Sequence, residues 1–376
     1  MALAKTRVAV LFGGRSAEHE VSLRSATNVI QHLDHERFDV IPIGIDKSGN
    51  WFMGKDVFAK SIEQNNVPMI SDHNQAWFTP EWIGKDVVLK STPAQNSMDH
   101  HFDVVFPAVH GTFCEDGTLQ GLLELSGLPY VGCGVLSSAV GMDKDIAKKL
   151  VAHAGIAVAP YISCKHDQWL QHPKKILDSI DQKLSYPLFV KPANAGSSVG
   201  ITKVKTPDQL SAAINEAFRF DTKILIENAL QVLELEVAVL ESLEPAKDPI
   251  VSVVGEIKPR HEFYSYDAKY LDADGAELII PASVSEDVQA QAKIIATKAF
   301  EALECEGMAR VDLFYDLNSK QIVFNEINTL PGFTQISMYP KLMAASGISY
   351  KDLLSHLVAL ALKRHKNKGL LVRSYA

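Results

Sequence analysis

The sequence predicts a mixed α/β fold divided into two or three domains. Three observations carry that expectation. A buried-type strand near the N-terminus runs through a glycine pair into an amphipathic helix and then a second strand, the pattern of a parallel βαβ unit. From residue 223 onward, apolar runs alternate with turn residues and only one long helix interrupts them. The length of 376 residues, at roughly 150 per domain, is too great for one domain. With 47% hydrophobic and 22% charged residues the chain has material for ample cores. A net charge of −8 argues against nucleic acid or an anionic membrane as the main partner, though a nucleotide needs only a local basic site. Cys114, Cys133, Cys164 and Cys305 are scattered without a CxxC pair, so free thiols are expected. No apolar run approaches the ~18 residues that span a bilayer, and the N-terminal run is too short for a signal peptide; the expected location is cytoplasmic.

In chain order, RVAVLF (7–12) reads as a strand ending at Gly13-Gly14. Ser22 reads as the cap of a helix whose Ala26, Val29, Ile30 and Leu33 recur at helical spacing, and FDVIPIGI (38–45) closes the unit. Ligands of such sheets collect at the carboxyl ends of the strands, which places Glu18 within reach of one. Residues 47–100 are polar and irregular and read as peripheral. DVVFPAVHG (103–111) is a second buried strand ending at His110, TLQGLLELSG a helix, and Leu128–Val131 a short strand. A helix is expected from about Ser138 to Gly155, with Lys144, Lys148 and Lys149 on a solvated face. YPLFVKPANAGSSVGITKV (186–204) is a hairpin with a small-residue tip. Its glycine and serines let backbone N–H groups close on phosphate oxygens, and Lys191 would add a positive charge there. The tip lacks the spacing of a Walker-type loop. Strands follow at 223–230, 233–242 and 250–259, with Glu234 and Glu236 on one face. Residues 261–282 have no period and read as a lid. A helix capped by Ser285 follows, and a last one capped by Ser349 is expected to end at Lys363-Arg364.

The chemistry concentrates in residues 308–338. RVDLFYD and QIVFNEIN are strands joined by Leu317-Asn318-Ser319. Residues two apart share a strand face, so Arg310 pairs with Asp312 and Glu326 with Asn328. Closure near Ser319 sets Asp312 opposite Glu326. Two facing carboxylates repel unless a cation lies between them, and with Asn328 they form an all-oxygen set suited to Mg²⁺. An acidic metal site, a glycine-serine loop with a lysine and a lid together suit phosphoryl transfer from a nucleotide triphosphate.

The motifs GGRSAEHEVSL (13–23), FPAVHGTFCEDGTLQG (106–121), KPANAGSSVG (191–200), YDAKY (266–270), RVD (310–312) and NEINTLPGFTQISMYPK (325–341) resemble, in order and over nearly the whole chain, those of the D-alanine–D-alanine ligase family. The resemblance implies a three-domain ATP-grasp architecture: an N-terminal α/β substrate-binding domain (1–138), a central lid domain (139–227) and a C-terminal catalytic domain (228–376). It implies ATP-dependent joining of two D-alanines through a D-alanyl phosphate, for peptidoglycan precursor synthesis, by a cytoplasmic homodimer.

By the same resemblance, Lys144, Lys191 and Lys269 would hold ATP phosphates, Glu227 and the Leu230 backbone the adenine, Glu234 the ribose, and Phe263 would cover the nucleotide. Asp312, Glu326 and Asn328 would bind two Mg²⁺, or Mn²⁺ in their place; whether a monovalent cation assists stays open. Glu18, with His110 nearby, would receive the first D-alanine's ammonium, and Ser197 and Tyr270 would lock the lid to Glu18. Ser337 and the Met338 backbone would take the second carboxylate, and Arg310 with the Gly332 N–H would stabilise the oxyanion. Cys114 stands where the family usually has glycine. D-lactate as second substrate, and nucleotide binding without catalysis, are the alternative readings.

Overall fold

A computed structural model describes residues 4–53, 75–78, 89–91, 102–259 and 276–372. Its strands form three sheets. The first contains β1 (Thr6–Gly13), β2 (Phe38–Ile45), β3 (Trp51–Met53), β4 (Gln75–Phe78), β5 (Leu89–Ser91) and β6 (Val104–Pro107), in the order β5-β4-β3-β2-β1-β6. β1 runs parallel to both β2 and β6, as the βαβ pattern requires. Its crossover helix is α1 (His19–His32). Gly13 is where the chain must turn: its φ is +87°, and a Cβ there would lie 2.1 Å from the Ile45 carbonyl oxygen. Ser22 does not cap α1. It lies in the helix's first turn, accepts from the Gly13 N–H (2.7 Å) and donates to the Ala108 carbonyl (2.6 Å), so it ties the helix to two strand ends. Part of the stretch expected to be peripheral, β3 to β5, extends this sheet in antiparallel fashion. Residues 128–131 make only an isolated bridge, Val105 to Tyr130.

After α2 (Thr118–Leu125), the helix expected from Ser138 is two helices, α3 (Val135–Met142) and α4 (Lys144–His153). Asp143 breaks the run. Its backbone is extended, and its carboxylate accepts from the Asp145 and Ile146 N–H groups at 3.1 Å, the signature of an N-cap.

The second sheet, in the order β7-β10-β8-β9, contains β7 (Tyr161–Lys165), β8 (Leu188–Pro192), β9 (Thr202–Val204) and β10 (Lys223–Asn228), all antiparallel. Ile180 and Ile214, from α6 (Pro173–Lys183) and α7 (Pro207–Ala217), pack on it, after the short α5 (His166–Gln171). The third sheet, in the order β13-β12-β11-β14-β15, is antiparallel throughout. It contains β11 (Val232–Leu240), β12 (Ile250–Pro259), β13 (Ala276–Ile279), β14 (Met308–Asp316) and β15 (Ile322–Asn328).

One face of the third sheet packs on α4 and on α8 (Glu286–Ala302), whose Ala292, Ala296 and Ala299 allow close approach. The opposite side joins the first sheet's core through α9 (Met338–Ala345) and α10 (Tyr350–Lys368). Ser285 and Ser349 cap α8 and α10 as expected, and α10 continues beyond Arg364 to Lys368. All four cysteines are free and buried. Among the described residues no helix is long and apolar enough to cross a membrane.

Candidate active site

The sheet register puts a row of three carboxylates across neighbouring strands: Glu236 on β11 faces Asp312 on β14, which faces Glu326 on β15. The next rung on the same face holds Ala238, Arg310 and Asn328. Asp312 thus lies opposite Glu326 as expected, but by a different route. Between the turn and Leu313↔Phe324 the hairpin is centred between Asn318 and Ser319, half a residue short. A bulge at Asn325 supplies the extra residue that sets Glu326 and Asn328 on Asp312's face.

Carboxylates crowded in this way need positive charge. The Arg310 guanidinium donates from Nε and Nη2 to the two Asp312 oxygens, both at 2.7 Å, and its Nε lies 3.2 Å from Glu236. Burial alone would ease the proton off Arg310, but Asp312 and Glu236 outweigh it and hold the guanidinium firmly charged. Lys144 serves Glu326 from 3.1 Å. The Asn328 side-chain oxygen accepts from the Leu330 N–H at 3.0 Å. Among the described residues no group of three His, Cys, Asp or Glu side chains is placed to hold a metal. The set here is two carboxylates and an amide, hard oxygen donors of the kind Mg²⁺ takes with phosphate oxygens and water completing its shell. On donor chemistry the set fits.

The lysine face expected on α4 is not solvated. Only Lys149 is exposed, while Lys144 is 6% and Lys148 0% exposed. Beginning the helix at Asp143 turns Lys144 inward, and Lys148, one turn later, points the same way. The Lys144 ammonium donates to the Ala195 carbonyl (2.7 Å), and its N–H to that of Ala193 (3.0 Å). Lys148 and Lys191 bracket Glu227, 2.8 and 3.0 Å from its two oxygens. Burial pulls against Glu227's charge, yet the two ammonium groups prevail and keep it below the usual carboxylate range. Burial pushes the Lys148 ammonium down.

Two cavities flank this cluster. One of about 630 Å³ is lined by Lys191, Glu227, Leu230 and Glu234. The other, about 670 Å³, is lined by Glu18, His110, Arg310, Gly332, Ser337 and Met338. Lys144, Ser197 and Glu326 line both, so the cavities meet there.

Behind the second cavity a buried relay runs between the first sheet and the loop after β15. His110 Nδ1 is 3.4 Å from Glu115, its Nε2 is 2.8 Å from the Ser25 hydroxyl, and Ser25 accepts from the Phe333 N–H at 3.3 Å. Gly332 leaves room, since a Cβ there would sit 2.8 Å from the Ser337 hydroxyl. Glu18 sits between two loops: a Cβ on Gly111 would be 2.7 Å from its Oε2, and one on Gly196 3.6 Å away. Ser197 and Ser198 adopt left-handed φ of +51° and +61°, a conformation that turns backbone N–H groups into a concavity.

Of the sequence-expected residues that it describes, the structure sets all but Asp312 in the lining of two joined cavities, and Asp312 is bonded by Arg310, which lines one of them. Phe263, Lys269 and Tyr270 lie outside the described residues. Sequence reasoning missed Lys148, Ser25 and Glu236. Four-residue spacing puts Lys148 on Lys144's face and alternation puts Glu236 on Glu234's, but neither pattern says that the face is buried.

Comparison with known proteins gives this constellation its context. The family description "D-ala D-ala ligase N-terminus" matches residues 7–133, and "D-ala D-ala ligase C-terminus" residues 150–359. A D-alanine–D-alanine ligase A from Bradyrhizobium diazoefficiens is 49% identical over 99% of both chains. The chain belongs to the D-alanine–D-alanine ligase family. Two solved structures agree with that membership. The VanG D-Ala:D-Ser ligase of Enterococcus faecalis superposes with a TM-score of 0.81 at 37% identity, over 95% of this chain and 100% of that one. The D-alanine–D-alanine ligase of Coxiella burnetii gives 0.79 at 35%, over 99% and 98%. The fold is accordingly the ATP-grasp architecture of these ligases, a family that uses ATP, generally with Mg²⁺.

Proposed function

We propose that this protein is an ATP-dependent carbon–nitrogen ligase that joins two D-alanine molecules, giving D-alanyl-D-alanine, ADP and phosphate for peptidoglycan precursor synthesis. The observation that carries the chemistry is the meeting of the two cavities at Lys144, Ser197 and Glu326. A triphosphate entering from one side and a carboxylate from the other come together at a cation and a carboxylate.

Lys144 and Lys191 hold the phosphates, with Lys269. Glu227 and the Leu230 backbone face the adenine, Glu234 the ribose, and Phe263 covers the nucleotide. Asp312, Glu326 and Asn328 would hold two Mg²⁺, or Mn²⁺, which when bound supply charge neutralisation for the transferring phosphoryl group.

Glu18 takes the ammonium of the first D-alanine, with His110 close by. The D-alanine carboxylate oxygen attacks the γ-phosphorus, the bond to the ADP oxygen breaks, and an acyl phosphate results. The amine of the second D-alanine, whose carboxylate is held by Ser337 and the Met338 N–H, attacks the acyl carbon. Phosphate leaves and the nitrogen gives up a proton. Arg310 and the Gly332 N–H stabilise the oxyanion, an effect of about 3–4 kcal/mol per donor. Ser197 and Tyr270 tie the lid to Glu18, which matters because water would otherwise hydrolyse the acyl phosphate. The chain divides as 1–138, 139–227 and 228–376 and works as a cytoplasmic homodimer.

The test is phosphate release and dipeptide formation from Mg-ATP with D-alanine as the sole amino acid; both are expected. Turnover only when D-lactate or D-serine is added would overturn the acceptor. Nucleotide binding without phosphate release in the presence of D-alanine would overturn catalysis itself.

A further inference from the structure

Lys148 has no place in the roles above, yet it is the most thoroughly buried cation among the described residues. It is 0% exposed, lines neither cavity, and carries its ammonium 2.8 Å from Glu227. Its neighbour Lys191 does line the nucleotide-side cavity and donates to the other Glu227 oxygen at 3.0 Å. Two buried ammonium groups thus share one buried carboxylate, leaving one positive charge uncompensated within the cluster. For stability alone this is a poor arrangement, because a single lysine would neutralise Glu227 and a second must be desolvated for nothing. Lys148 meets Glu227 Oε2 and Lys191 meets Oε1, so the two pairings are independent of each other.

We propose that Lys148 is a positioning residue that holds Glu227's counter-charge, so that Lys191 is free to turn its hydrogen bonds to the nucleotide's phosphates. The inference rests on the phosphate role of Lys191 given above. Without nucleotide, Lys191 is shared with Glu227. When a polyphosphate arrives, Lys191 leaves Oε1. Glu227 is not stranded, because Lys148 remains paired with Oε2. The surplus positive charge of the cluster is then met by the phosphates. Were Lys148 neutral, Lys191 and Glu227 would form a closed one-to-one pair. The nucleotide would have to break that pair and leave a buried carboxylate alone.

The experiment is a binding cycle on the full-length protein with ATP and adenosine as probes, using Lys148→Met, Glu227→Gln and the double variant. Lys148→Met is expected to weaken ATP at least tenfold and to leave adenosine within threefold. In the double variant no carboxylate competes for Lys191, so ATP affinity, taken relative to adenosine in the same variant so that Glu227's adenine contact cancels, should recover severalfold over Lys148→Met alone. Adding Lys148→Met to Glu227→Gln should change ATP affinity less than twofold, an arm that survives even if the single lysine variant does not fold. A residue that merely filled the core would give additive losses with no recovery. Lys148→Met binding ATP as the parent does, or a double variant whose ATP-to-adenosine ratio is no better than that of Lys148→Met, overturns the proposal. Lys191→Met separates the two readings: retained ATP affinity there would remove the phosphate role beneath the proposal, whereas a loss there without one in Lys148→Met overturns Lys148 alone.

Discussion

Two hairpins face the joined cavities, β8–β9 and β14–β15, and they hold their polar groups by different means. In β14–β15 the groups stand on strands of a five-stranded sheet, β14 locked by register between β11 and the edge strand β15, and Asp312 held further by the Arg310 fork. In β8–β9 Lys191 stands on a strand, but the rest belong to the connecting loop, where Ser197 and Ser198 are held at left-handed φ and Asn194 is anchored through its N–H to Asp221 at 2.8 Å. The first arrangement fixes charge for a reaction coordinate. The second spends backbone strain, of order 1 kcal/mol per left-handed residue, on shaping a surface that closes on a ligand. The strand hairpin should therefore govern rate and the loop hairpin affinity and coupling.

The sharpest way to break this contrast is Glu326→Ala. It removes the carboxylate shared by both cavities while leaving the β14–β15 ladder intact. Turnover should fall on the order of 10³-fold, several kcal/mol of lost charge stabilisation, with little change in melting temperature. Phosphate release and a thermal melt check both halves; near-normal turnover would take Glu326 out of the reaction.

Arg310→Lys comes next. The charge survives but not the fork that meets Asp312 twice. About a 10²-fold fall in dipeptide formation is expected. Because Arg310 is assigned to the second step, phosphate released per dipeptide formed should rise. An unchanged ratio would move Arg310 to the first step.

The same contrast explains what was legible in the sequence. Strand alternation carried β11, β12, β14 and β15, and with them the facing of Asp312 and Glu326, because side-chain period and sheet burial are local properties. The bulge at Asn325 was not legible. A simple count to Ser319 reached the right pairing only because the bulge offsets a turn centred half a residue earlier. Nor was the burial of Lys148, since a lysine four residues from another looks like a solvated stripe until Asp143 starts the helix and Glu227 arrives from β10. Ser22 carried a capping signal that the fold put to another use, bonding Gly13 and Ala108 across three elements. The glycine-serine tip was legible by composition, but its two left-handed serines were not, because serine seldom adopts that conformation unaided.

On the loop side, Ser198→Gly relaxes the φ of +61° at no steric cost. Relief of strain and the added freedom of the unfolded chain nearly cancel, so stability should move by less than about 1 kcal/mol. The looser tip should raise KM for ATP about two- to threefold while kcat stays put. A fall in kcat with KM unchanged would show the loop acting on rate and would undo the division of labour between the hairpins.

The smallest effect belongs to a region that touches neither hairpin. Glu124 on α2 accepts from the Tyr130 hydroxyl at 2.8 Å and pairs with Lys368 at the end of α10. Burial alone would raise its pKa, but Lys368 and Tyr130 outweigh it and hold the carboxyl below the ordinary value of 4.5. A carboxylate lowered by folding contributes stability that is present above the unfolded value and is lost as pH falls through the folded one. Both partners are about one-third exposed, so after screening the contribution is about 0.5 kcal/mol. Glu124→Gln should lower the melting temperature slightly at pH 7, with the gap to the parent narrowing as pH drops below about 4.5, while turnover is unaffected. A gap that widened on acidification would reverse the sign and exclude Glu124 as an ionised anchor of α10.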